Sequence, residues 1–302
     1  MSGLPDMCDG GDLPGRLAAL AAGCPGTLAV CVSEVGGTGR VAGVNEDVEL
    51  PLASTGKLLL LAAVARGVTD GELDPDEPLD LLEDDYAAGS GLLTALSARR
   101  WTIADLTLLT ASVSDNTATN ALLRRLGPDR VDAVAGALGL SRTRIHDRIR
   151  EPRLPEHPPT FATGTARELA ALAHSLAGSL AGSPGAGESW HRLMIGWMAH
   201  NTDRSLVPAL LPHDAEDRRI PAGAMPYPMV WVANKTGTDT GTRADVGVLV
   251  GARRTGYAVL AHGRAGSEHA LVRAIRQAGL AIAAAVHQTL SRDLANSRRP
   301  SS

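Results

Sequence analysis

The stretch MVWVANKTGTDTGTRADVGVLVGARRTGYAVLAHG, residues 229–263, decides the fold class. It holds three apolar runs, MVWVANKT (229–236), ADVGVLVGA (244–252) and YAVLAHG (257–263), separated by GTDTGTR and RRTG. Runs of this length, rich in β-branched residues and bounded by turn residues, read as successive strands, and connections this short favour antiparallel pairing. The following segment, SEHALVRAIRQAGLAIAAAVHQTL (267–290), reads as a long helix. Strand signals return only near the start of the chain, where TLAVCVSEV and RVAGV flank the glycine turn GGTGR, after a helical LPGRLAALAA (13–22). From about residue 54 to about 225, helical patterns alternate with loops rich in Gly, Pro and Asp. The sheet must therefore be assembled from both chain ends. The expected fold is α/β (α+β), with an antiparallel sheet subdomain from 13–50 and 229–290 and an inserted all-helical subdomain over 54–225. Residues 1–12 and 291–302 read as tails, and SLAGSLAGSPGAG (175–187) as a flexible connection. A cleft is expected where the two subdomains meet, a common place for a binding site.

Composition narrows the function. With 302 residues, 44% of them hydrophobic, the chain can bury a sizeable core. A net charge of −4 provides no broad basic field, so a small molecule is expected as partner rather than nucleic acid or membrane, acting on a monomer. Cys8, Cys24 and Cys31 are too few and too close for a disulfide framework, and Cys31, inside TLAVCV, reads as a small core residue. The opening MSGLPDMCDGGD is acidic and unlike a secretory leader, which leads to the expectation of a cytoplasmic protein, or of a secreted one if a leader has been trimmed from this start. The late apolar run AGLAIAAAV (278–286) is about half of the ~18 residues that a membrane span needs. The nine histidines form no HExxH or Cys/His cluster at ligand spacing, His262 and His269 read as structural, and GGTGR lies in a hairpin-like turn, so neither metal nor cofactor is expected.

Three short motifs carry chemistry. Ser54-Thr55-Gly56-Lys57 precedes the apolar LLLLAAVARGV, which puts Ser54 and Lys57 about one helical turn apart on one face. A lysine whose pKa is lowered by burial or a second cation can take a serine proton, and a helix N-terminus can stabilise an oxyanion. The competing reading is an N-cap serine. Ser114-Asp115-Asn116 stands where one apolar helix stops and another starts, and there a hydroxyl and a carboxamide could relay a proton and hold an amide, or merely cap. Lys235-Thr236-Gly237 ends the strand MVWVAN, where lysine and threonine suit a carboxylate and glycine permits close backbone approach, unless it is only a solvated strand end.

Together, in this order and setting, the three resemble the S-x-x-K, S-D-N and K-T-G set of class A β-lactamases and penicillin-binding proteins. GELDPDEPLDL, GSGLLTAL, LTLLTASVSDNTATNALL and NTDRSLVPALLP extend the resemblance from about Thr27 to about Ile282, and Ser54 and Ser114 stand sixty positions apart, as is usual in that family. The resemblance implies that Ser54 is the nucleophile, Lys57 its base and Ser114 the proton relay to the leaving nitrogen. It implies further that Asn116 binds the substrate amide, Lys235 and Thr236 its carboxylate, and the backbone amides of Ser54 and Thr238 the oxyanion. Arg243 lies near the place of a carboxylate-binding arginine, in a loop of loose register.

Two stretches depart from the family pattern. In TRIHDRIREPRLP (143–155) the EP pair makes Glu151 the base that would activate the deacylating water, whereas an ungapped match of the flanks puts Ile149 there. The asparagine that helps hold the water is replaced by Pro155 or Arg153, according to register. The segment HDAEDRRIPAGAMPYP (213–228) is longer than the family usually has, and reads as a surface insertion or as part of the cleft rim. The resemblance implies a serine hydrolase that opens β-lactam rings. Two alternatives use the same serine: a biosynthetic amide or ester hydrolase or acyl transferase, and a sensor that is acylated without turnover.

Overall fold

The computed structural model describes residues 12–36, 39–180 and 189–296, the last eleven of these by backbone alone. Cys8, the middle of GGTGR and residues 181–187 lie outside the described residues, whereas 175–179, read from sequence as part of a flexible connection, complete a helix that runs Ala166–Ser179. Helix α1 (Leu13–Ala22) leads into strands β1 (Gly26–Glu34) and β2 (Gly39–Val44); the far end of the chain supplies β8 (Trp231–Asp239), β9 (Thr242–Val250), β10 (Arg254–Gly263) and helix α8 (Glu268–Asn296). These five strands form one sheet in the order β2-β1-β10-β9-β8, antiparallel wherever β1, β10, β9 and β8 meet their neighbours. The β1–β10 pairing, Gly26 opposite Gly263 through Glu34 opposite Thr255, joins the two chain ends.

Both faces of the sheet are covered, and the period-2 alternation of side chains sorts them. Leu28, Val30 and Val32 of β1 join Tyr257, Val259 and Ala261 of β10 in a core with α1 and α8, whose members include Leu17, Leu271, Ile275 and Ile282. Ala29 and Cys31, with Ala258, Leu260 and Val248, face the opposite core. Each large side chain so buried contributes about 1.5–3 kcal/mol.

The intervening chain carries helices α2 (Lys57–Thr69), α3 (Ile103–Ser112), α4 (Asn116–Leu126), α5 (Pro128–Ala137), α6 (Ala166–Ser179) and α7 (Trp190–Ala199). Helix α2 is apolar all round because it is buried all round. Leu58, Leu61, Ala62 and Ala65 face the sheet-side core, while Leu59, Leu60, Ala63 and Val64 face a third core under α3, α4 and α5.

Residues 54–225 are not wholly helical. They include the ribbon β4 (Pro78–Asp80) with β5 (Arg100–Thr102), and β6 (Arg144–Ile145) with β7 (Ala162–Gly164), which is joined by β3 (Leu50–Pro51) in a small sheet. Helix α6, moreover, lies on the large sheet: a Cβ on Gly256 would stand 2.4 Å from the His174 amide nitrogen, so the missing side chain lets helix and strand touch. Helix α8 runs past residue 290 to Asn296, since HQTLSRDLAN holds no glycine or proline to stop it. Within 213–228, Ile220 and Met225 pack on the sheet-side core and the Met225 amide donates to the Gly251 carbonyl at 2.9 Å. That anchors the segment at the end of β9 remote from Thr238 and Arg243, away from the cleft rim.

Candidate active site

Ser54 stands in a single 3-10 turn, Ala53–Gly56, that runs directly into α2. Ala53 has φ 45°, a left-handed conformation that non-glycine residues seldom adopt, and the Thr55 hydroxyl and amide both donate to the Leu52 carbonyl, at 2.7 and 3.1 Å. The cap position of α2 is Gly56, with no side-chain hydrogen bond, so the Ser54 hydroxyl is not spent on capping.

Lys57, one turn further on, is fully buried and its ammonium uses three acceptors: the Ser114 carbonyl at 2.6 Å, Asn116 Oδ1 at 2.8 Å and Ser114 Oγ at 3.1 Å. Burial, reinforced by the Lys235 charge and opposed by Asp115, holds its pKa well below the ordinary lysine value. Lys235, also fully buried, donates to Ser114 Oγ at 3.0 Å and to the Thr236 carbonyl at 2.9 Å. Burial lowers it to about 8, with Asp203 and Asp245 opposing the shift. Ser114 Oγ thus accepts from two ammonium groups, which fills its lone pairs and leaves its own proton free for a third partner.

The bend that presents Ser114 is built by its neighbour. Asp115 is buried; its Oδ1 caps α4 by accepting the Ala118 amide at 2.8 Å, and its Oδ2 accepts the Leu92 and Leu93 amides at 2.6 and 2.9 Å. Ser114 itself has φ 57°. Capping and chemistry are therefore divided within the triplet: Asp115 caps, while Ser114 and Asn116 face Lys57. Asn116 Nδ2 donates to the Ala88 carbonyl at 2.7 Å, which ties the 88–93 loop to the same corner. The sequence signal for the role of Asp115 was its N-cap preference; its hold on Leu92 and Leu93 has none.

On the opposite wall, Gly237 brings β8 against the turn of Ser54. A Cβ there would lie 2.5 Å from the Leu52 carbonyl oxygen, 2.9 Å from the Thr55 nitrogen and 3.1 Å from the Ser54 nitrogen. That approach sets Thr238 beside Ser54, and both line a cavity of about 340 Å3 that extends past Asn116 and Ile149 to Glu151. A smaller lobe of about 150 Å3 on the other side of Ser54 is bounded by Ser114, Thr236, Thr238 and Asp203. Arg243 does not reach this centre: its Nη1 donates to the carbonyls of Asp239 and Thr242, both at 2.7 Å. A larger cavity of about 470 Å3, under the 144–148 segment, has none of the three motif residues Ser54, Lys57 and Lys235 on its walls.

The 143–155 loop is clasped at Ile149. Asn120, buried on α4, accepts the Ile149 amide at 2.8 Å through Oδ1 and donates to the Ile149 carbonyl at 2.9 Å through Nδ2. Ile149 is half-buried against the sheet-side core, while Glu151, two residues on, is exposed at the cleft mouth. The charges that act on Lys57 are those of Lys235 and Asp115, with no contribution from Glu151. Within this loop it is thus Ile149, and not Glu151, whose backbone Asn120 holds.

Comparison with known proteins places these features in context. Residues 13–286 match the model of a family described as the β-lactamase enzyme family. A β-lactamase of Streptomyces fradiae is 33% identical over 248 residues, 79% of this chain and 74% of that protein. The β-lactamase CTX-M-8 of Citrobacter amalonaticus is 28% identical over 248 residues, 81% of this chain and 78% of that one. Among solved structures, a β-lactamase from Sphaerobacter thermophilus superimposes with a TM-score of 0.72 at 28% identity, covering 89% of this chain and 94% of the other.

Proposed function

The chain belongs to the β-lactamase enzyme family, and on that premise we propose that it opens β-lactam rings through an acyl-enzyme on Ser54. The observation that carries this reading is the shared hydrogen bonding of Lys57 and Lys235 to one hydroxyl, that of Ser114, beside a serine free of capping duty. Lys57, buried and with its pKa depressed, is neutral for part of the time and takes the Ser54 proton. Ser54 Oγ then attacks the ring carbonyl, whose oxygen is received by the amides of Ser54 and Thr238. As the ring C–N bond breaks, Ser114 gives its proton to the departing nitrogen and is reprotonated from the lysine side. Asn116 holds the acyl-side amide, and Lys235 with Thr236 holds the group beside the ring nitrogen.

Water must then attack the ester. The clasp of Asn120 on Ile149 supports a slow second half-reaction, because an alkyl group stands where the loop is most firmly held. Among the described residues no helix is long and apolar enough to cross a membrane.

The test is incubation with a chromogenic cephalosporin followed by intact mass spectrometry. Ring opening with an adduct on Ser54, both abolished in Ser54→Ala, is the expected result. Ring opening that persists in Ser54→Ala, or an adduct on another residue, would falsify the assignment.

A further inference from the structure

The cavity of about 470 Å3 under the 144–148 segment takes no part in the scheme above, and its size is that of a small-molecule site, about 300–1,000 Å3. Leu123 of α4, Pro128 and Val131 of α5 and Ile145 of β6 give it apolar walls. Arg148 ties the loop to the turn at 83–85: it donates to the Asp84 carbonyl, and its guanidinium lies 3.7 Å from the Asp84 carboxylate. Asn120 is also in the wall. The carboxamide that grips Ile149 donates in addition to the Asp85 carbonyl, at 3.2 Å. The cavity is therefore bounded by the three segments that Asn120 holds together, namely α4, the 83–85 turn and the loop that carries Ile149.

Its charged groups pair off with one exception. Arg124 binds Asp85 at 2.8 Å, Arg148 binds Asp84, and Asp147 takes Arg150, from outside the wall, at 2.6 Å. His146 uses Nε2 on Thr163 Oγ1 at 2.9 Å. The positive end of α5, where Pro128 stands, is offset by Asp129 in its first turn. Asp132, exposed on α5, is the wall carboxylate left with no cation in ion-pair reach among the described residues. An apolar hollow with one unanswered carboxylate at its edge suits a compact apolar molecule carrying one ammonium. The body gains contacts with Leu123, Val131 and Ile145, and the ammonium reaches Asp132.

We propose that this cavity binds a compact apolar amine, and that its occupancy lengthens the life of the Ser54 acyl-enzyme. A molecule lodged between α4 and residues 145–148 keeps its contacts only while the loop is seated on the helix. It therefore binds the seated state better and shifts the loop toward it. Seating holds Ile149 inward, where its alkyl group offers the deacylating water no base. The effect on the adduct rests on the acyl-enzyme reading, whereas the binding site itself does not.

The probe is adamantylamine, an alkylammonium at neutral pH, and adamantanol is its uncharged counterpart. Titration calorimetry on the full chain at about pH 8, where an ordinary imidazole is neutral, should show adamantylamine binding about two- to fivefold more tightly than adamantanol, the scale of an exposed ion pair. Asp132→Asn should erase that advantage without weakening adamantanol. Val131→Phe, which fills the hollow, should weaken both by about tenfold or more. Saturating adamantylamine should lengthen the lifetime of a cephalosporin adduct on Ser54 by about threefold or more in wild type, and not in Val131→Phe. Absence of binding, or binding that Val131→Phe leaves unchanged, overturns the site. Equal affinities for amine and alcohol, or an advantage that survives Asp132→Asn, overturns the choice of an amine; should Val131→Phe not fold, this Asp132 comparison decides the location alone. A lifetime unmoved by saturating amine overturns the coupling to deacylation. If no cephalosporin labels Ser54, the acyl-enzyme reading falls together with the lifetime effect, while calorimetry still decides the site.

Discussion

Gly237→Ala is the sharpest test of how the cleft is held together. The added methyl would meet the Leu52 carbonyl oxygen at 2.5 Å and the amide nitrogens of Thr55 and Ser54 at 2.9 and 3.1 Å. All three are backbone atoms, so no rotamer can relieve the contact. Restoring ordinary van der Waals separation requires β8 and the Ser54 turn to part by about 0.7–1 Å. The two amides proposed for the oxyanion lie on opposite sides of that gap, one on Ser54 and one on Thr238. A displacement of about 1 Å in a reacting geometry costs on the order of 10²-fold, the same scale as loss of one oxyanion donor, or roughly 3 kcal/mol of barrier. Stopped-flow acylation with a chromogenic cephalosporin should therefore slow by about 10²-fold in Gly237→Ala, with a near-unchanged dissociation constant for the initial complex, since the oxyanion forms only in the transition state. Acylation within about threefold of wild type in a folded variant would refute the view that Gly237 sets the distance between the two amides.

Two further predictions concern protons and water. Acylation of a carboxylate-bearing substrate should rise with pH as Lys57 loses its proton, and should fall again above about 8, where Lys235 loses the charge that attracts the carboxylate. Lys235→Arg should carry the descending limb to higher pH, and a descending limb that stays near 8 in that variant counts against Lys235 as its origin. For deacylation, Ile149→Glu should shorten the lifetime of the Ser54 adduct by about 10- to 10³-fold, because it supplies a general base at the backbone position that Asn120 clasps. Glu151→Gln should alter that lifetime by less than about threefold; accumulation of adduct in Glu151→Gln but not in wild type would return the base to Glu151.

Much of the architecture could be read from the sequence because its signals are local. The runs of 229–263 are short, apolar and bounded by turn residues, and their turns are short enough to favour antiparallel neighbours, so β8, β9 and β10 were visible within a few residues of their ends. That both chain ends build one sheet followed from the absence of strong strand signals between them, whereas the pairing of β1 with β10 is set by register and was not legible. The docking of α6 on the sheet was hidden, since nothing in ARELAALAHSLAGS tells a helix facing other helices from one facing a strand. The deciding feature, the bare backbone of Gly256 beneath His174, lies some eighty residues away.

Within the site, the residues that touch one another across short motifs were legible and those that act through the backbone were not. Ser54, Lys57, Ser114 and Lys235 announce themselves by type and spacing, because a proton can move only between particular atoms. The identity of the residue facing the acyl carbonyl depends instead on loop register, and side-chain types in TRIHDRIREPRLP support two registers that differ by two residues. Asn120 grips one residue of this loop, Ile149. A carboxamide that both accepts from and donates to one peptide unit fixes that residue against slippage in either direction, since a shift by one position would turn the Ile149 side chain out of the core. The loop is thereby held with an alkyl group inward and its glutamate outward. On the proposed reading, the same clasp gives the Ile149→Glu variant its force: the backbone that would carry the base is already fixed, so the substitution changes the chemistry of the second half-reaction without having to rebuild the loop that positions it.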